Sequence, residues 1–545
     1  MAKNNILRDI FILVLVAAAF SLPFVNQAFH IDDTNFLYIT KQVLKDPLRP
    51  YSFDINWRGT QERAFDILAN PPLCPYYSAL VIKLFGESEI ILHSAYFIFV
   101  LLSAIFMYFL ARRFTKNTLI SSLLLISTPA FMVMSHTIMP DIALLAFYLA
   151  GITSFIYGVD KERKGLLVLS GIFMALAGLC RYSGLTVFFI ALMYLFLRPG
   201  KIKVSALMPF AAGGLVFAAW CLHNIVFYAK LHFLAASGFQ LVTLTLEDIF
   251  CKTEALLVYI GSTTVFFAFL IAGFLRREYR KAFFILLAAG IYFAVIAAMK
   301  YRASLPQVFL ISIFMSASLF FFFAAIDRCI REGPGRKNRD SVFLLGWIGF
   351  IVLFTSSIYF AAVKHILLLL PPLIMLFVVM TEDFLGRYAK IYLSCALVFT
   401  FLSGLVISYA DFKYANAYRD FAYRSVKKYK LPENSVWFVG HWGFQYYMEK
   451  LGCKALGYSD NSPKNNDILI MPSLIAEHQW PCKPLYDRLE LLGVYRYKAF
   501  LPVRTMNARE NFSFYTNIML LFNPGFLPYY FSRQDLERFT VYRVD

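Results

Sequence analysis

Charge is scarce in this chain: 16% of its 545 residues are Asp, Glu, Lys or Arg, against about a quarter in soluble domains. With 59% hydrophobic residues and a mean hydropathy of +0.61, that deficit excludes an ordinary soluble protein. A nucleotide-binding glycine loop and an Asp-x-Asp sequence are also missing, which disfavours a nucleotide-sugar ligand. The eight cysteines form no CxxC pair. Only Cys453 and Cys482 fall in the polar C-terminal part, where a disulfide is conceivable; the other six read as small core residues. No internal repeat or low-complexity linker is present, and the inverted repeat that would favour a transporter is not visible. No small-residue cleavage site precedes His30, so the first apolar segment reads as a retained helix, not a cleaved signal.

What remains is a series of long apolar runs. About thirteen membrane segments are expected from runs of roughly 17 to 25 residues. They start near Ile10, Ile90, Thr118, Ile142, Leu166, Gly184, Val204, Ala255, Ala282, Pro306, Ser341, Ile366 and Ile391. The net charge of +18 carries no nucleic-acid signal, because the cations gather in short loops between apolar runs. Arg112-Arg113, Lys161 to Lys164, Arg198 to Lys201, Arg276 to Lys281 and Arg328 to Arg339 fall on one side, which the orientation rule makes cytoplasmic. The N-terminus is then inside. Residues 1–410 form a membrane part, with a first extracytoplasmic loop of about residues 28–88, and residues 411–545 an outer soluble α/β domain. In that tail, residues 435–439 and 467–471 read as strands and Phe444 to Leu451 as a helix.

Nearly every unusual polar residue at a membrane boundary lies on the extracytoplasmic side. Asp32 and Asp33 follow the first segment, and Asp141 follows Pro140 at the start of the fourth. Arg181 interrupts an apolar stretch, Lys364 and His365 precede the run to Pro372, and Arg302 sits in another outer turn. Each has a plain structural reading beside the functional one. Asp141 suits a helix N-terminus in any case, Arg181 and Lys364 suit lipid headgroups, and the Asp pair suits a solvated loop. Together they offer carboxylates to activate a hydroxyl and cations to hold a phosphate.

The order of these residues carries a resemblance. Asp32-Asp33-Thr34-Asn35-Phe36 resembles the Asp-Glu-x-x-Tyr/Phe motif after the first helix of GT-C glycosyltransferases, which include protein O-mannosyltransferases and the bacterial lipid A aminoarabinose transferase. Asn70-Pro71-Pro72-Leu73 and Phe85-Gly86-Glu87 resemble their Pro-Pro-Leu loop and the start of their second helix; Leu110-Ala111-Arg112-Arg113 matches that helix's exit. Two departures stand out: the second acid is Asp33 instead of Glu, and Asn70 replaces the Lys of the aminoarabinose branch.

The resemblance implies a GT-C-type polytopic α-helical membrane protein and an inverting glycosyltransferase. Its donor would be a polyprenyl-phosphate sugar, undecaprenyl phosphate in a bacterial inner membrane, and its acceptor a hydroxyl of a lipid, protein or glycan. Asp32 would be the general base, with Asp33 and Asp141 orienting the acceptor or restraining it. Arg181, Lys364, His365 and Arg302 would stabilise the phosphate leaving group. Asn70, Pro71 and Pro72 would form a substrate loop. No cofactor is required; a divalent ion held by His30, His136 and His365 is conceivable, but no ligand spacing supports it. The aromatic turn Gly440 to Tyr447 is a weaker candidate for acceptor binding. Rival readings are a flippase or transporter of lipid-linked sugars, and a glycan polymerase or ligase.

Overall fold

The computed structural model describes residues 2–545 apart from 58, 236–244, 269–278, 302, 334, 430–434, 458–462, 476–480 and 518–524. The protein is a polytopic helical membrane protein with a strand-containing C-terminal part. Every one of the thirteen apolar segments begins on a helix or on the helical turn leading into one. Among the described residues, eight helices are long and apolar enough to cross a membrane. A ninth arises if the pair Thr118–Ser127 and Pro129–Ser135, bent by 62°, is one span. Pro129 explains the break, since its ring displaces the backbone of the turn before it. Lys164–Cys180 is shorter, at 17 residues, or about 25 Å of helix against about 30 Å of hydrocarbon.

The Asp141–Asp160 helix is the central one: 89% of its apolar window is buried, against 17% for Arg280–Met299. A helix that is apolar all round belongs in such a position, and here it joins the two faces of the molecule. At its far end Asp160 accepts from Arg113, which also bonds Asp340 at 2.9 Å and 3.1 Å. This is the end that carries the basic loops. At its near end stands Asp141.

Among the described residues of 25–88 no helix is long and apolar enough to span a membrane. They form the helices Asp33–Lys45 and Leu73–Phe85 and the hairpin of Asp54–Asn56 with Gln61–Arg63. Asp33–Lys45 buries Phe36, Leu37, Ile39, Thr40 and Val43, the single stripe of an amphipathic helix lying on a protein surface.

The last membrane helix, Ala389–Tyr429, runs 41 residues and passes without interruption through Asp411. Beyond it lies a five-stranded sheet in the order Lys454–Ala455, Val436–Phe438, Ile468–Pro472, Glu537–Val544, Leu489–Tyr497. The first three strands are parallel and the last two pair antiparallel. The strands near 435–439 and 467–471 are thus present, and the tail helix is Trp442–Lys450. Cys453 is a buried thiol, so the conceivable bridge to Cys482 is absent. The tail sits directly on the first loop. Tyr447 donates to Glu89 at 2.8 Å and Tyr446 to Glu87. A Cβ on Gly443 would stand 2.3 Å from the Phe29 carbonyl oxygen, so only glycine fits there.

Candidate functional site

Asp32 and Asp33 are neighbours in sequence and part ways in space. Asp32 is the residue before the helix Asp33–Lys45, yet its side chain caps none of that helix's N–H groups. It turns instead to Lys364, whose Nζ lies 2.6 Å from Asp32 Oδ2. Lys364 comes from the 3-10 turn Val363–Leu368 and is buried, with 2% of its side chain exposed against 30% for Asp32. Burial works to raise the Asp32 carboxyl, but the Lys364 ammonium, with help from Arg181, outweighs it and holds it below the usual carboxylate range.

Asp141 opens the central helix, where the free N–H groups and the dipole favour a carboxylate. Its Oδ1 accepts from Arg181 Nη1 at 2.5 Å, while its Oδ2 is buried with no hydrogen-bond partner. Arg181 terminates Lys164–Cys180, and the backbone there is extended before the turn Tyr182–Leu185. The Asp141–Arg181 pair and Lys364 border a cavity of about 430 Å³; Asp32 does not itself line it. Asp141, Arg181, Lys364, His365 and Asn70 line it, and Asp32 joins it through Lys364. Burial, with Arg181 and Lys364 nearby, keeps the His365 imidazole well below its ordinary value, hence neutral at pH 7. His365 Nδ1 has no hydrogen-bond partner either. The rest of the wall divides into hydroxyls, such as Tyr182, Ser183, Thr186 and Thr355, and apolar rings, such as Phe189, Phe350 and Phe354.

Asp33 is not brought to this cavity. It is fully buried, accepts from the His30 and Ile138 backbone N–H groups at 3.2 Å and 2.9 Å, and lies 3.6 Å from His30 Nδ1. His30 Nε2 in turn reaches Asp411 Oδ2 at 3.0 Å and the Tyr515 hydroxyl at 2.8 Å. Burial pulls the His30 imidazole down, but Asp411 and Asp33 more than compensate and raise it to about 10. Pro71 and Pro72 do not line the cavity; Pro72 precedes the helix Leu73–Phe85 and so fixes its start. Arg302 lies outside the described residues. Among the described residues no group of three or more His, Cys, Asp or Glu could hold a metal ion, so His30, His136 and His365 are not gathered as ligands. The Gly440 to Tyr447 turn does not line the cavity; its tyrosines pair with Glu87 and Glu89.

Six positions at or beside the site were not singled out from the sequence: Asp411, Tyr515 and the wall hydroxyls of Tyr182, Ser183, Thr186 and Thr355. Asp411, a carboxylate where the apolar run from Ile391 ends, carried a legible signal, since charge at a membrane boundary costs free energy. Tyr515 and the wall hydroxyls carried none, being ordinary in composition and remote in sequence.

Residues 69–227 match the family described as dolichyl-phosphate-mannose-protein mannosyltransferase. That match begins beside Asn70-Pro71-Pro72-Leu73, includes Asp141 and Arg181, and bears out the resemblance to GT-C glycosyltransferases. No curated protein sequence matches the chain. Among solved structures, the chain is similar to ArnT from Cupriavidus metallidurans bound to undecaprenyl phosphate, at 12% identity and a TM-score of 0.43, covering 86% of this chain and 93% of that one. It is also similar to the mycobacterial arabinofuranosyltransferase AftD, at 10% identity and a TM-score of 0.46, covering 98% and 40%. A third likeness is to the S. cerevisiae protein O-mannosyltransferase complex bound to its sugar donor, at 15% identity and a TM-score of 0.32, covering 41% and 34%.

Proposed function

We propose, from the family match over residues 69–227, that this protein is an inverting glycosyltransferase using a polyprenyl-phosphate-linked sugar. It transfers the sugar to a hydroxyl acceptor at the extracytoplasmic face of a bacterial inner membrane. The N-terminus is cytoplasmic and residues 411–545 lie outside. The observation that carries this reading is a cavity lined by the Asp141–Arg181 pair and by Lys364, the partner of Asp32, in which Asp141 Oδ2 and His365 Nδ1, both buried, have no hydrogen-bond partner. Buried polar atoms left unpaired cost about 1–3 kcal/mol each, so the site suits a ligand that supplies a donor to Asp141 Oδ2 and a polar partner to His365 Nδ1.

Arg181 and Lys364 bind the donor phosphate. Lys364 is paired with Asp32, which makes Asp32 a weak base. When a phosphate oxygen takes a share of Lys364, the field holding the Asp32 carboxyl down weakens and its basicity rises. Asp32 then accepts the acceptor's O–H proton as that oxygen bonds to the anomeric carbon from the face opposite the phosphate. The C–O bond to phosphate breaks with its electron pair on the phosphate, where the two cations stabilise it without protonation. The cavity's mixed wall suits a sugar, with hydroxyls for its polar edges and rings for its faces.

The test is sugar release by the purified protein from a panel of undecaprenyl-phosphate sugars, comparing wild type with Asp32→Asn. Turnover should fall by about 10²- to 10⁴-fold while undecaprenyl phosphate still binds. Equal turnover would sink Asp32 as the base, and movement of the lipid across liposomes without sugar release would overturn the assignment in favour of a flippase.

A further inference from the structure

We propose that residues 513–517 of the tail are a positioning element of the transfer site, in which Tyr515 and Asn517 set the register between Asp32 and Lys364. The inference rests on the glycosyltransferase reading above. Neither residue lines the cavity, and both are buried.

Asp32 and Lys364 come from segments 332 positions apart. Neither segment is a regular element that would place its side chain unaided. Ile31, the residue before Asp32, has φ +49°, a left-handed conformation that a β-branched residue avoids. Such a conformation persists only where the surroundings dictate it. On the other side, Ala362 is extended just before the short turn that carries Lys364.

Five consecutive tail residues reach both segments. The Tyr515 hydroxyl donates to Asp411 Oδ2 at 2.8 Å and accepts from His30, two residues ahead of Asp32, at 2.8 Å. The Phe514 carbonyl accepts from the Val363 N–H, next to Lys364, at 3.1 Å. Asn517 then takes Ala361 from both sides: its Oδ1 accepts the Ala361 N–H at 2.7 Å, and its N–H donates to the Ala361 carbonyl at 2.8 Å. The clamp is itself anchored. Phe514 N–H bonds the Thr505 carbonyl at 2.8 Å, and the Thr505 hydroxyl donates to the second oxygen of Asp411 at 2.9 Å. One short stretch of the tail thus holds the His30 imidazole, two residues before the base, and the backbone within three residues of its cation. A displacement of about 1 Å at a reacting group costs on the order of 10²-fold in rate, so such a clamp has a catalytic consequence without touching substrate.

The experiment uses the full-length protein and release of sugar from undecaprenyl-phosphate sugars. Asn517→Ala, Asn517→Asp and Tyr515→Phe are each made in the wild type and in a Lys364→Met background. Asn517→Ala should lower kcat by about tenfold or more, with donor KM changed by less than about twofold. It should also move the acid limb of the kcat–pH profile upward, because Asp32 loses part of its cation. Asn517→Asp, which keeps the accepting oxygen, should recover most of the rate. In the Lys364→Met background Asn517→Ala should add less than about twofold, since residues acting through one pair are not additive. Additive losses in the two backgrounds, or a pH limb that does not move, would reduce the clamp to plain structural support. Should Asn517→Ala fail to fold, Tyr515→Phe, which removes one oxygen, makes the same comparison from the Asp32 side. Absence of sugar release by the wild type would sink the glycosyltransferase reading, and Asp32→Asn at wild-type turnover would sink Asp32 as its base. An inactive Asp32→Asn beside fully active Tyr515→Phe and Asn517→Ala would sink this inference alone.

Discussion

Two clusters of charge meet at the Asp32–Asp33 peptide bond, and they are built to opposite ends. The cluster around Asp33, with His30, Asp411, Tyr515 and Thr505, is sealed; both oxygens of Asp33 and both of Asp411 accept hydrogen bonds. The cluster around Asp32, with Lys364, Arg181, Asp141 and His365, is open to a cavity and leaves two buried polar atoms without hydrogen-bond partners. The same residue types therefore give rigidity where every carboxylate oxygen is bonded, with His30 Nδ1 held 3.6 Å from Asp33 by charge and not by a hydrogen bond, and a binding site where a carboxylate oxygen is left over. Position along the chain does not separate them; the direction in which each carboxylate leaves the start of one helix does.

Paired substitutions break this comparison most directly. Asp32→Asn should cost about 10²- to 10⁴-fold in turnover and less in thermal unfolding midpoint than Asp33→Ala, because its carboxylate is part-exposed and the amide oxygen still faces the buried Lys364 ammonium. Asp33→Ala should do the reverse: it strands the buried His30 cation and the Ile138 N–H, at about 3–5 kcal/mol of stability. Thermal unfolding in detergent, read beside the release assay, checks both. A destabilised Asp32→Asn with an intact Asp33→Ala would reverse the roles given to the two acids.

The sealed cluster also carries a pH signature. His30 keeps its proton in the folded protein up to about pH 10, from an ordinary value of 6.5. A group whose folded value is raised stabilises fully below its unfolded value and loses that contribution as pH rises through the folded one. The unfolding midpoint should therefore decline between about pH 6.5 and pH 10. His30→Gln should be less stable at pH 6, with a flatter profile across that window. In the open cluster the sign is opposite, since the Asp32 carboxyl is depressed. Its contribution is present at neutral pH and disappears in acid, below the usual carboxylate range.

Smaller effects belong to the cations. Arg181→Met and Lys364→Met should each raise the donor KM by roughly 10- to 100-fold, the worth of about 1.5–3 kcal/mol for a hydrogen bond to a charged group. The two differ in a second readout. Lys364→Met also frees Asp32 from its partner and should shift the acid limb of the pH profile upward much more than Arg181→Met does.

Much of this was legible before any coordinates. Apolar runs located the helices, because burial in lipid or in a helical core demands them whatever the partners. Asp141, Arg181, Lys364 and His365 were legible as charges at apolar boundaries, and the structure gathers all four at one cavity. Asp33 was not separable from Asp32, because a one-residue step on a helix start turns a side chain through about 100°. The clamp from Tyr515 and Asn517 was invisible, since backbone hydrogen bonds across more than 150 positions leave no periodic trace. The strained Ile31 could not be seen either; nothing in an Ile announces a positive φ.

The wall position Asn70 offers the mildest and most selective change. It lines the cavity, and its backbone carbonyl accepts from the Tyr51 hydroxyl, so the main chain there is anchored whatever side chain it carries. Asn70→Lys adds a third cation to a wall that already holds Arg181 and Lys364. Toward the donor phosphate this is attractive, and a several-fold fall in donor KM is expected, about 1 kcal/mol for a partly solvated pair. Toward the two existing cations it is repulsive, and part of that gain is offset. The new charge also competes for Asp141 Oδ2, the oxygen without a hydrogen-bond partner. The expected outcome is therefore a lower KM, most marked at low ionic strength and fading with added salt, and a kcat within about threefold of wild type. A KM that rises at every salt concentration would mean that Asn70 faces the sugar, not the phosphate, and would turn the donor end for end in the cavity.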